Sequence, residues 1–352
     1  MQTKDLVSII IPAYNAEKTL GETLDSLIGQ TFQNFQIVVI DDGSKDGTLA
    51  LIKSYVEKYP EKIKWYTQEN RGLSATRNRA LDEAELGEYV GFMDADDQAK
   101  PDYLQKLYDA IRSSDADIAV TGYEKYDVLT GEVFYRHDPK TWTVQFDNGK
   151  DYVFQYSVWA KLYRTDFLNS NHIRFGVGEV LEDGPFSIET NLLAKKVAVV
   201  DDYLYRYRAN RISSSGKSKS NETSSSVMGM VRKKNSKARL PYNGILSVIR
   251  DVRKADITQQ DDQVMEYCVI KALAGYCTNM GKYMDKTTRK ELCGYCDRTI
   301  REYFPKVRKN PYIRIGKLKN LPKSHRIAVR LFVNAYSMKM LYPFSLLVSK
   351  VL

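Results

Sequence analysis

Histidine is scarce in this sequence: the only three, His137, His172 and His325, are spread over 352 residues. A transition-metal site built on imidazole is therefore disfavoured, because such sites need several histidines that converge. A metal site in this chain would hold a hard ion, Mg²⁺ or Mn²⁺, through carboxylate oxygens.

Cysteine is also rare, and all four cysteines, Cys268, Cys277, Cys293 and Cys296, fall in the last third of the chain. A structural zinc site would need a second Cys-x-x-Cys pair, which the chain lacks. We expect reduced thiols in a cytoplasmic protein, with a disulfide or a metal role as the alternatives.

Two phosphate-binding motifs and long apolar runs are missing. No GxGxxG follows the first apolar run and no GxxxxGK[ST] occurs, so a dinucleotide or P-loop site is disfavoured. The run LVSIII stops at Pro12, and Lys4 is balanced by Asp5, so a signal peptide is not expected. Nothing in the first 300 residues could span a bilayer.

Positive charge is concentrated at the end of the chain. From Arg301 onward there are twelve Lys and Arg against the single acidic residue Glu302, a balance of +11. The chain as a whole carries +9, so residues 1–300 carry −2 and the basic tail needs its own explanation.

The first hundred residues alternate short apolar runs with amphipathic stretches. Four stretches have the pattern of strands, namely LVSIII, FQIVVI, KIKWYT and YVGFM. Each is followed by a stretch with helical periodicity. This alternation predicts an α/β fold, a mostly parallel sheet with helices on both faces. Polar residues follow each strand, and ligands bind at the carboxyl edge of such sheets.

Beyond residue 120 the alternation is less regular, and the sequence predicts a hairpin followed by the aromatic stretch FQYSVWAKLYRTDFL. A helix is predicted in LEDGPFSIETNLLAKK and a strand in VAVVDDYLYRYR. Residues 213–226 are a low-complexity Ser/Lys stretch. We predict a catalytic domain over 1–212, a flexible linker or lid over 213–240, and a helical basic region over 241–352.

The segment FMDADDQ places three carboxylates, Asp94, Asp96 and Asp97, directly after the fourth predicted strand. Carboxylates this close can share one divalent ion, which offsets their repulsion and also binds a substrate diphosphate. The alternative is that these residues only begin a helix, where aspartate is favoured by capping and by the helix dipole.

Four motifs in order make the chain resemble a family 2 glycosyltransferase of the GT-A fold. They are VSIIIPAYNAEKTLGETLDSLIGQTFQNFQIVVIDDGSKDGT, NRGLSATRNRAL, the D-x-D element in FMDADD, and LEDGPF. Together they cover about the first 210 residues. The resemblance implies a Rossmann-like GT-A fold, a UDP-sugar donor and a divalent metal, Mn²⁺ or Mg²⁺.

The resemblance also implies a donor pocket. Tyr14 would lie against the uracil face and Asp42 would accept the uracil N3–H, with Pro12 and Asn15 shaping the pocket and Asp41 assisting.

In the same pocket, Arg77 would face the ribose or phosphate side and Asp94 would contact the ribose. Asp96 would contact the metal, with Asp97 beside it. The ion would take up negative charge on the departing diphosphate.

The LEDGPF motif implies the catalytic base. Asp183 would remove the proton from the acceptor hydroxyl while that oxygen attacks the anomeric carbon and inverts its configuration, and Glu182 would help to position the acceptor. Glu182 and Asp183 also suit the first turn of a helix with Pro185 at its start, and the two roles are compatible.

Two stretches carry weaker assignments. Trp159 and Lys161 resemble the acceptor side of related enzymes, although an aromatic stripe more often belongs to a core. A second stretch, with Arg206, Arg208 and Ser213 to Ser215, resembles the segment that closes over the donor diphosphate. Together with Lys217 and Lys219 it could form a lid, and surface charge is the rival explanation.

The basic tail mixes Lys and Arg with apolar residues, a pattern that suits an interfacial helix on an anionic membrane surface. The tail could mediate a homodimer instead, and nucleic-acid binding is disfavoured because no recognition motif accompanies the charge.

These observations predict an inverting enzyme, peripheral on the inner face of the plasma membrane, with a lipid-linked or glycan acceptor. Two alternatives stay open: a nucleotidyltransferase or sugar-phosphate enzyme, and a non-catalytic binding module that acts through its tail.

Overall fold

The computed structural model describes residues 4–147, 149–209, 242–255 and 257–351. The chain divides into two compact units. The first unit comprises Met1–Thr141, Gln155–Gly178 and Ala194–Lys219, and the second comprises Trp142–Phe154, Glu179–Leu193 and Ser220–Leu352.

A nine-stranded mixed sheet forms the centre of the first unit, with the strand order β3-β2-β1-β4-β10-β6-β11-β5 and β7 paired to β6. Strands β1 to β4 are parallel, whereas β10 runs antiparallel to both β4 and β6. The strands of this sheet are β1 (Val7–Ala13), β2 (Phe35–Asp41), β3 (Ile63–Thr67), β4 (Tyr89–Phe92), β5 (Gln98–Ala99), β6 (Ile118–Asp127), β7 (Val133–His137), β10 (Lys161–Arg164) and β11 (Val197–Ala209).

The central strands are buried along their whole length, as expected for a parallel sheet covered on both faces. β1 pairs with β2 from Val7↔Phe35 to Ala13↔Asp41, so both strands end at the same edge of the sheet. Branched aliphatic residues fill these strands because they pack well on a pleated surface.

The described residues of the first unit also form five helices: α1 (Leu20–Ile28), α2 (Thr48–Lys58), α3 (Leu73–Glu83), α4 (Tyr103–Ser114) and α5 (Thr165–Ser170). In α1 the buried positions Leu20, Leu24 and Leu27 recur every three or four residues and join the core under the sheet. α1 thus buries one apolar stripe in the core.

The pairing of β11 with β6 is irregular. Val200 lies opposite Thr121, but the next pairs are Tyr203↔Gly122 and Tyr205↔Tyr123, so β11 has extra residues at two places. Gly122 has no room for a side chain, because a Cβ there would lie 2.6 Å from the carbonyl oxygen of His137.

The second unit is mostly helical. It contains the hairpin β8 (Thr143–Gln145) and β9 (Asp151–Val153) and the helices α6 (Asp183–Leu193), α7 (Tyr242–Lys254), α8 (Gln259–Gly275), α9 (Lys286–Tyr303), α10 (Lys323–Ser337) and α11 (Leu341–Val351). Thr258 and Asp261 form a reciprocal capping box that starts α8. Among the described helices, none combines the length and the hydropathy that a membrane crossing needs.

The predicted α/β pattern and the helical C-terminal region are confirmed, and all four cysteines are buried free thiols. Residues 142–154 and 179–193 group with the C-terminal residues in the second unit, and the predicted domain boundaries stay a prediction. The predicted linker or lid over 213–240 lies outside the described residues.

Candidate active site

The loops that follow the four parallel strands are joined to one another by hydrogen bonds. Thr19 Oγ1, just before α1, donates to the carbonyl of Ala95 over 3.0 Å, and the backbone N–H of Ala16 donates to Thr48 Oγ1 over 2.7 Å. The first unit therefore presents one continuous polar edge, which contains the predicted donor residues.

Asp42 is the junction between the loops after β2 and β3. Gln68 Nε2 and the N–H of Arg71 donate to its Oδ1 over 2.7 and 2.9 Å, and the N–H of Gly72 donates to Oδ2 over 2.9 Å. Gly43, with φ at 73°, lets the loops meet, since a Cβ there would lie 2.8 Å from the nitrogen of Asn70. The carboxylate of Asp42 is thus held in one orientation.

The loop after β1 is fixed by Asn15, which adopts the left-handed backbone conformation with φ at 51°. Its N–H donates to Ser44 Oγ over 3.0 Å, and its side-chain oxygen accepts from the N–H of Lys45 over 2.8 Å. Pro12 is buried, whereas the neighbouring Tyr14 is 49% exposed, so its ring is open to a ligand.

Asp41 is the last residue of β2 and is buried. Its carboxylate accepts from the N–H of Ser44 over 3.2 Å and from Thr67 Oγ1 over 3.1 Å. Asp41 therefore braces the loop that carries Asp42.

The acidic loop after β4 is anchored first through Asp94. Arg77 Nη2, on α3, donates to Asp94 Oδ1 over 2.9 Å, and the guanidinium lies 5.1 Å from the ring centroid of Phe175. The Arg77 side chain is 1% exposed and that of Asp94 is 30% exposed. A buried cation thus fixes a carboxylate that still reaches solvent.

The second anchor is Asp97, which is buried. Tyr205 Oη donates to Asp97 Oδ2 over 2.7 Å, and the N–H of Arg208 donates to Asp97 Oδ1 over 2.8 Å. Burial raises the pKa of the Asp97 carboxyl well above its usual range, and the charges of Asp96 and Asp94 act in the same direction. Asp97 ties the acidic loop to β11.

Between these anchors the side chain of Asp96 is exposed. The surrounding protein still displaces part of the water near the Asp96 carboxyl, which raises its pKa, and the nearby charge of Arg208 opposes that change. Arg208 Nε donates to the carbonyl of Asp96 over 2.8 Å, and its Nη2 forms an ion pair with Glu22 on α1. Sequence reasoning missed Glu22, because one glutamate on the polar face of a helix carries no signal.

Asp94, Asp96 and Asp97 differ in how available their carboxylates are to a divalent ion. Asp94 is bound to Arg77 and Asp97 to two internal donors, and the described residues contain no cluster of three or more His, Cys, Asp or Glu arranged for a metal. Mg²⁺ often takes only one or two protein carboxylates and completes its shell with substrate phosphates and water. The exposed carboxylate of Asp96 fits that arrangement.

The two predicted acceptor residues lie inside the first unit. Trp159 is 8% exposed and stacks on Tyr205 at 4.6 Å and on Tyr207 at 5.4 Å between ring centroids. Lys161 is 1% exposed and its Nζ donates to the carbonyl of Gln155 over 2.6 Å. In this structure both side chains pack within the protein.

Glu182 and Asp183 belong to the second unit, where Asp183 is the first residue of α6. Glu182 is buried and Asp183 is half-buried, and Leu181 before them adopts φ at 61°. Gly184 follows in a tight space, because a Cβ there would lie 3.1 Å from Tyr276 Oη. The helix start expected from Pro185 is present.

Comparison with known proteins finds a family match in the N-terminal half of the chain. Residues 8–176 match the family model described as glycosyl transferase family 2, and these residues contain the strand-end motifs. Residues 8–176 thus have the sequence pattern of that family.

Bacterial glycosyltransferases are similar to part of the chain. Glycosyltransferase GlyA of Streptococcus pneumoniae is 36% identical over 224 residues, which are 60% of this chain and 32% of GlyA. Cholesterol galactosyltransferase of Borreliella burgdorferi is 33% identical over 215 residues, 56% of this chain and 59% of that protein. The chain thus spans between a third and three fifths of these relatives.

Among solved structures, S. aureus TarS 1–349 in complex with UDP-GlcNAc is similar along nearly the whole chain. The TM-score is 0.68 at 22% identity, and the match covers 99% of this chain and 91% of TarS 1–349. The fold is therefore GT-A, as the sequence motifs imply.

Proposed function

We propose that this protein is an inverting, metal-dependent glycosyltransferase that moves a sugar from a UDP-sugar to a hydroxyl of a glycan acceptor. The observation that carries the proposal is the acidic loop of a family 2 domain, in which Asp94 and Asp97 are anchored and Asp96 stays exposed. A loop held this rigidly is suited to charge that develops on a departing diphosphate.

The donor nucleotide would bind along the edge formed by the loops after β1 and β2. Tyr14 offers an exposed ring for the uracil face, and Asp42 offers a carboxylate of fixed orientation for the N3–H. Asp94, held by Arg77, would accept a hydrogen bond from the ribose. The complex of TarS with UDP-GlcNAc supports a UDP-sugar donor on this fold.

Mn²⁺ or Mg²⁺ would be held by Asp96 together with the donor diphosphate, and Asp97 would stand beside it. When bound, such an ion neutralises charge on the leaving diphosphate as a Lewis acid. The chain's own part is to orient the Asp96 carboxylate, which it does through the bond from Arg208 to the Asp96 carbonyl and through the buried Asp97. Arg208 would bind the diphosphate once it leaves Glu22.

Asp183 would act as the base. It would take the proton of the acceptor hydroxyl while that oxygen forms a bond to the anomeric carbon and the bond from that carbon to UDP breaks. Attack from the face opposite UDP inverts the configuration. Glu182 would orient the acceptor, and Trp159 and Lys161 would contribute to the acceptor side only through packing.

The acceptor would be lipid-linked or part of a cell-surface glycan, and the protein would work in the cytoplasm on the inner face of the plasma membrane. The basic tail supports this location, because Lys and Arg near an anionic membrane surface each favour binding.

The decisive experiment measures UDP release from a panel of UDP-sugars by the purified chain with Mn²⁺, with Mg²⁺ and with EDTA. We expect metal-dependent release with one sugar, loss of that activity in Asp96→Ala, and loss of transfer with retained UDP binding in Asp183→Asn. Asp109→Asn, an exposed position on α4, is the control and should match the wild type. If no UDP-sugar is bound or turned over, even with a lipid-linked acceptor extract, the proposal fails.

A further inference from the structure

The second unit has a groove of about 730 Å³ between α9 and the end of α10 with the start of α11. Side chains that suit a phosphate group stand in its wall. The charged and tyrosine side chains that line the groove are Lys290, Asp297, Arg301, Tyr336, Lys339 and Tyr342.

The wall of the groove is cationic. Lys290, Asp297 and Arg301 follow one another on a single face of α9 at helical spacing. Arg301 Nη2 lies 3.3 Å from Asp297 Oδ2, and both side chains are exposed, at 69% and 42%. Lys339 adds a third cation, so the excess of positive charge invites an anion.

Apolar side chains project beside these cations. The turn between α10 and α11 holds Lys339 at φ 57°, with Met338 63% exposed and Met340 45% exposed on either side of it. On α11, Leu347 is 65% exposed. Single exposed apolar residues are common, but a group of them beside basic residues is typical of surfaces that enter the headgroup layer of a membrane.

We propose that this groove binds the phosphate headgroup of an anionic membrane lipid while Met338 and Met340 enter the lipid interface. The sequence supports the sign of the partner, because no acidic residue follows Glu302. The inference rests on the proposed function in one respect: it specifies the surface by which the enzyme meets its membrane.

The test uses the full chain and vesicles of phosphatidylcholine alone or mixed with phosphatidylglycerol, separated by sedimentation. We expect binding only to the anionic vesicles. The double variant Lys290→Ala/Lys339→Ala should lower the partition coefficient about 30-fold, since each basic residue at a membrane surface contributes ~1 kcal/mol. The matched control Arg308→Ala/Lys309→Ala removes the same charge from exposed tail positions outside the groove and should change it less than about threefold.

A second pair of variants tests whether Met338 and Met340 enter the lipid interface. Met338→Ser/Met340→Ser should weaken vesicle binding at a salt concentration that leaves the wild type bound, whereas Leu129→Ser, at an 84% exposed position of the first unit, should not. If Lys290→Ala/Lys339→Ala and Arg308→Ala/Lys309→Ala weakened vesicle binding equally, only the total charge would matter. That result would overturn the proposed binding site. Binding of inorganic phosphate without vesicle binding would also overturn it.

A dimer in sedimentation velocity that Met338→Ser/Met340→Ser disrupts, without vesicle binding by the wild type, would assign the surface to a second copy and overturn the proposal. UDP-sugar hydrolysis in solution separates this inference from the proposed function. Groove variants should hydrolyse the donor at the wild-type rate, and a wild type without hydrolysis would count against the function alone.

Discussion

Arg77 on α3 and Asp94 in the loop after β4 form an ion pair of 2.9 Å in which the cation is buried and the carboxylate reaches solvent. The sequence motifs imply that both residues face the donor, but the structure shows that Arg77 acts on Asp94 directly. A buried guanidinium that binds a partly exposed carboxylate sets the position of that carboxylate.

Arg77→Lys tests this relationship. Lysine keeps the charge but loses the planar donor group, so Asp94 is held less rigidly and the KM for the UDP-sugar should rise about tenfold. Arg112→Lys on α4, where the exposed arginine pairs with Asp5, is the control and should leave KM unchanged. An unchanged KM in Arg77→Lys would show that Asp94 is positioned by other contacts.

Tyr205→Phe should destabilise the fold by about 1–3 kcal/mol, because the buried Asp97 loses its phenolic donor. Urea denaturation measures the effect. Tyr103→Phe is a matched control, since its buried hydroxyl has no hydrogen-bond partner among the described residues, and it should be neutral or slightly stabilising. Equal costs for the two variants would assign the loss to packing and not to the Asp97 bond.

Trp159 separates packing from acceptor binding. The stack on Tyr205 and Tyr207 predicts that Trp159→Ala costs about 3–5 kcal/mol in stability, as other large truncations in cores do. Trp159→Phe keeps an aromatic plane and should leave the KM for the acceptor within about twofold of wild type. A large rise in that KM with unchanged stability would restore the predicted acceptor role of Trp159.

Glu189 on α6 predicts a pH dependence of stability. Burial, reinforced by Asp251 and opposed by Arg250, raises the pKa of Glu189 from its ordinary value of 4.5 to about 8. The folded protein therefore keeps a proton that the unfolded chain loses, so the free energy of unfolding should fall as pH rises between these values, by roughly 1.4 kcal/mol per unit at most.

Glu189→Gln should remove that part of the pH dependence and stabilise the protein at pH 8 more than at pH 5. The difference between wild type and variant is the relevant quantity, because burial also raises the pKa of Glu266, to about 7. Parallel stability curves for the two proteins across this range would contradict the prediction.

The strand and helix order of the first hundred residues could be predicted because each element has a clear period and ends at turn residues. The helical C-terminal region was equally visible, but the end of one of its helices was not. α10 ends at Ser337, and Lys339 in the turn that follows has a positive φ. Lysine is not a residue type that predicts this conformation.

The site could be predicted at the level of loops and not at the level of contacts. Motifs place Asp42, Asp94 and Asp96 at the strand ends, yet nothing local indicates that Asp97 points inward to Tyr205 or that Glu22 meets Arg208. Those partners are separated by 108 and 186 residues in sequence, and only the folded sheet brings them together.

The extra residues that β11 carries opposite Thr121 and Gly122 have a consequence for how this segment tolerates change. Side chains alternate along a strand, so removing one residue there would turn Arg208 away from the acidic loop and send Ala209 toward it. Many substitutions between Val200 and Tyr205 would preserve the alignment, whereas a single deletion would not. In this part of the protein, the number of residues is under tighter constraint than their identity.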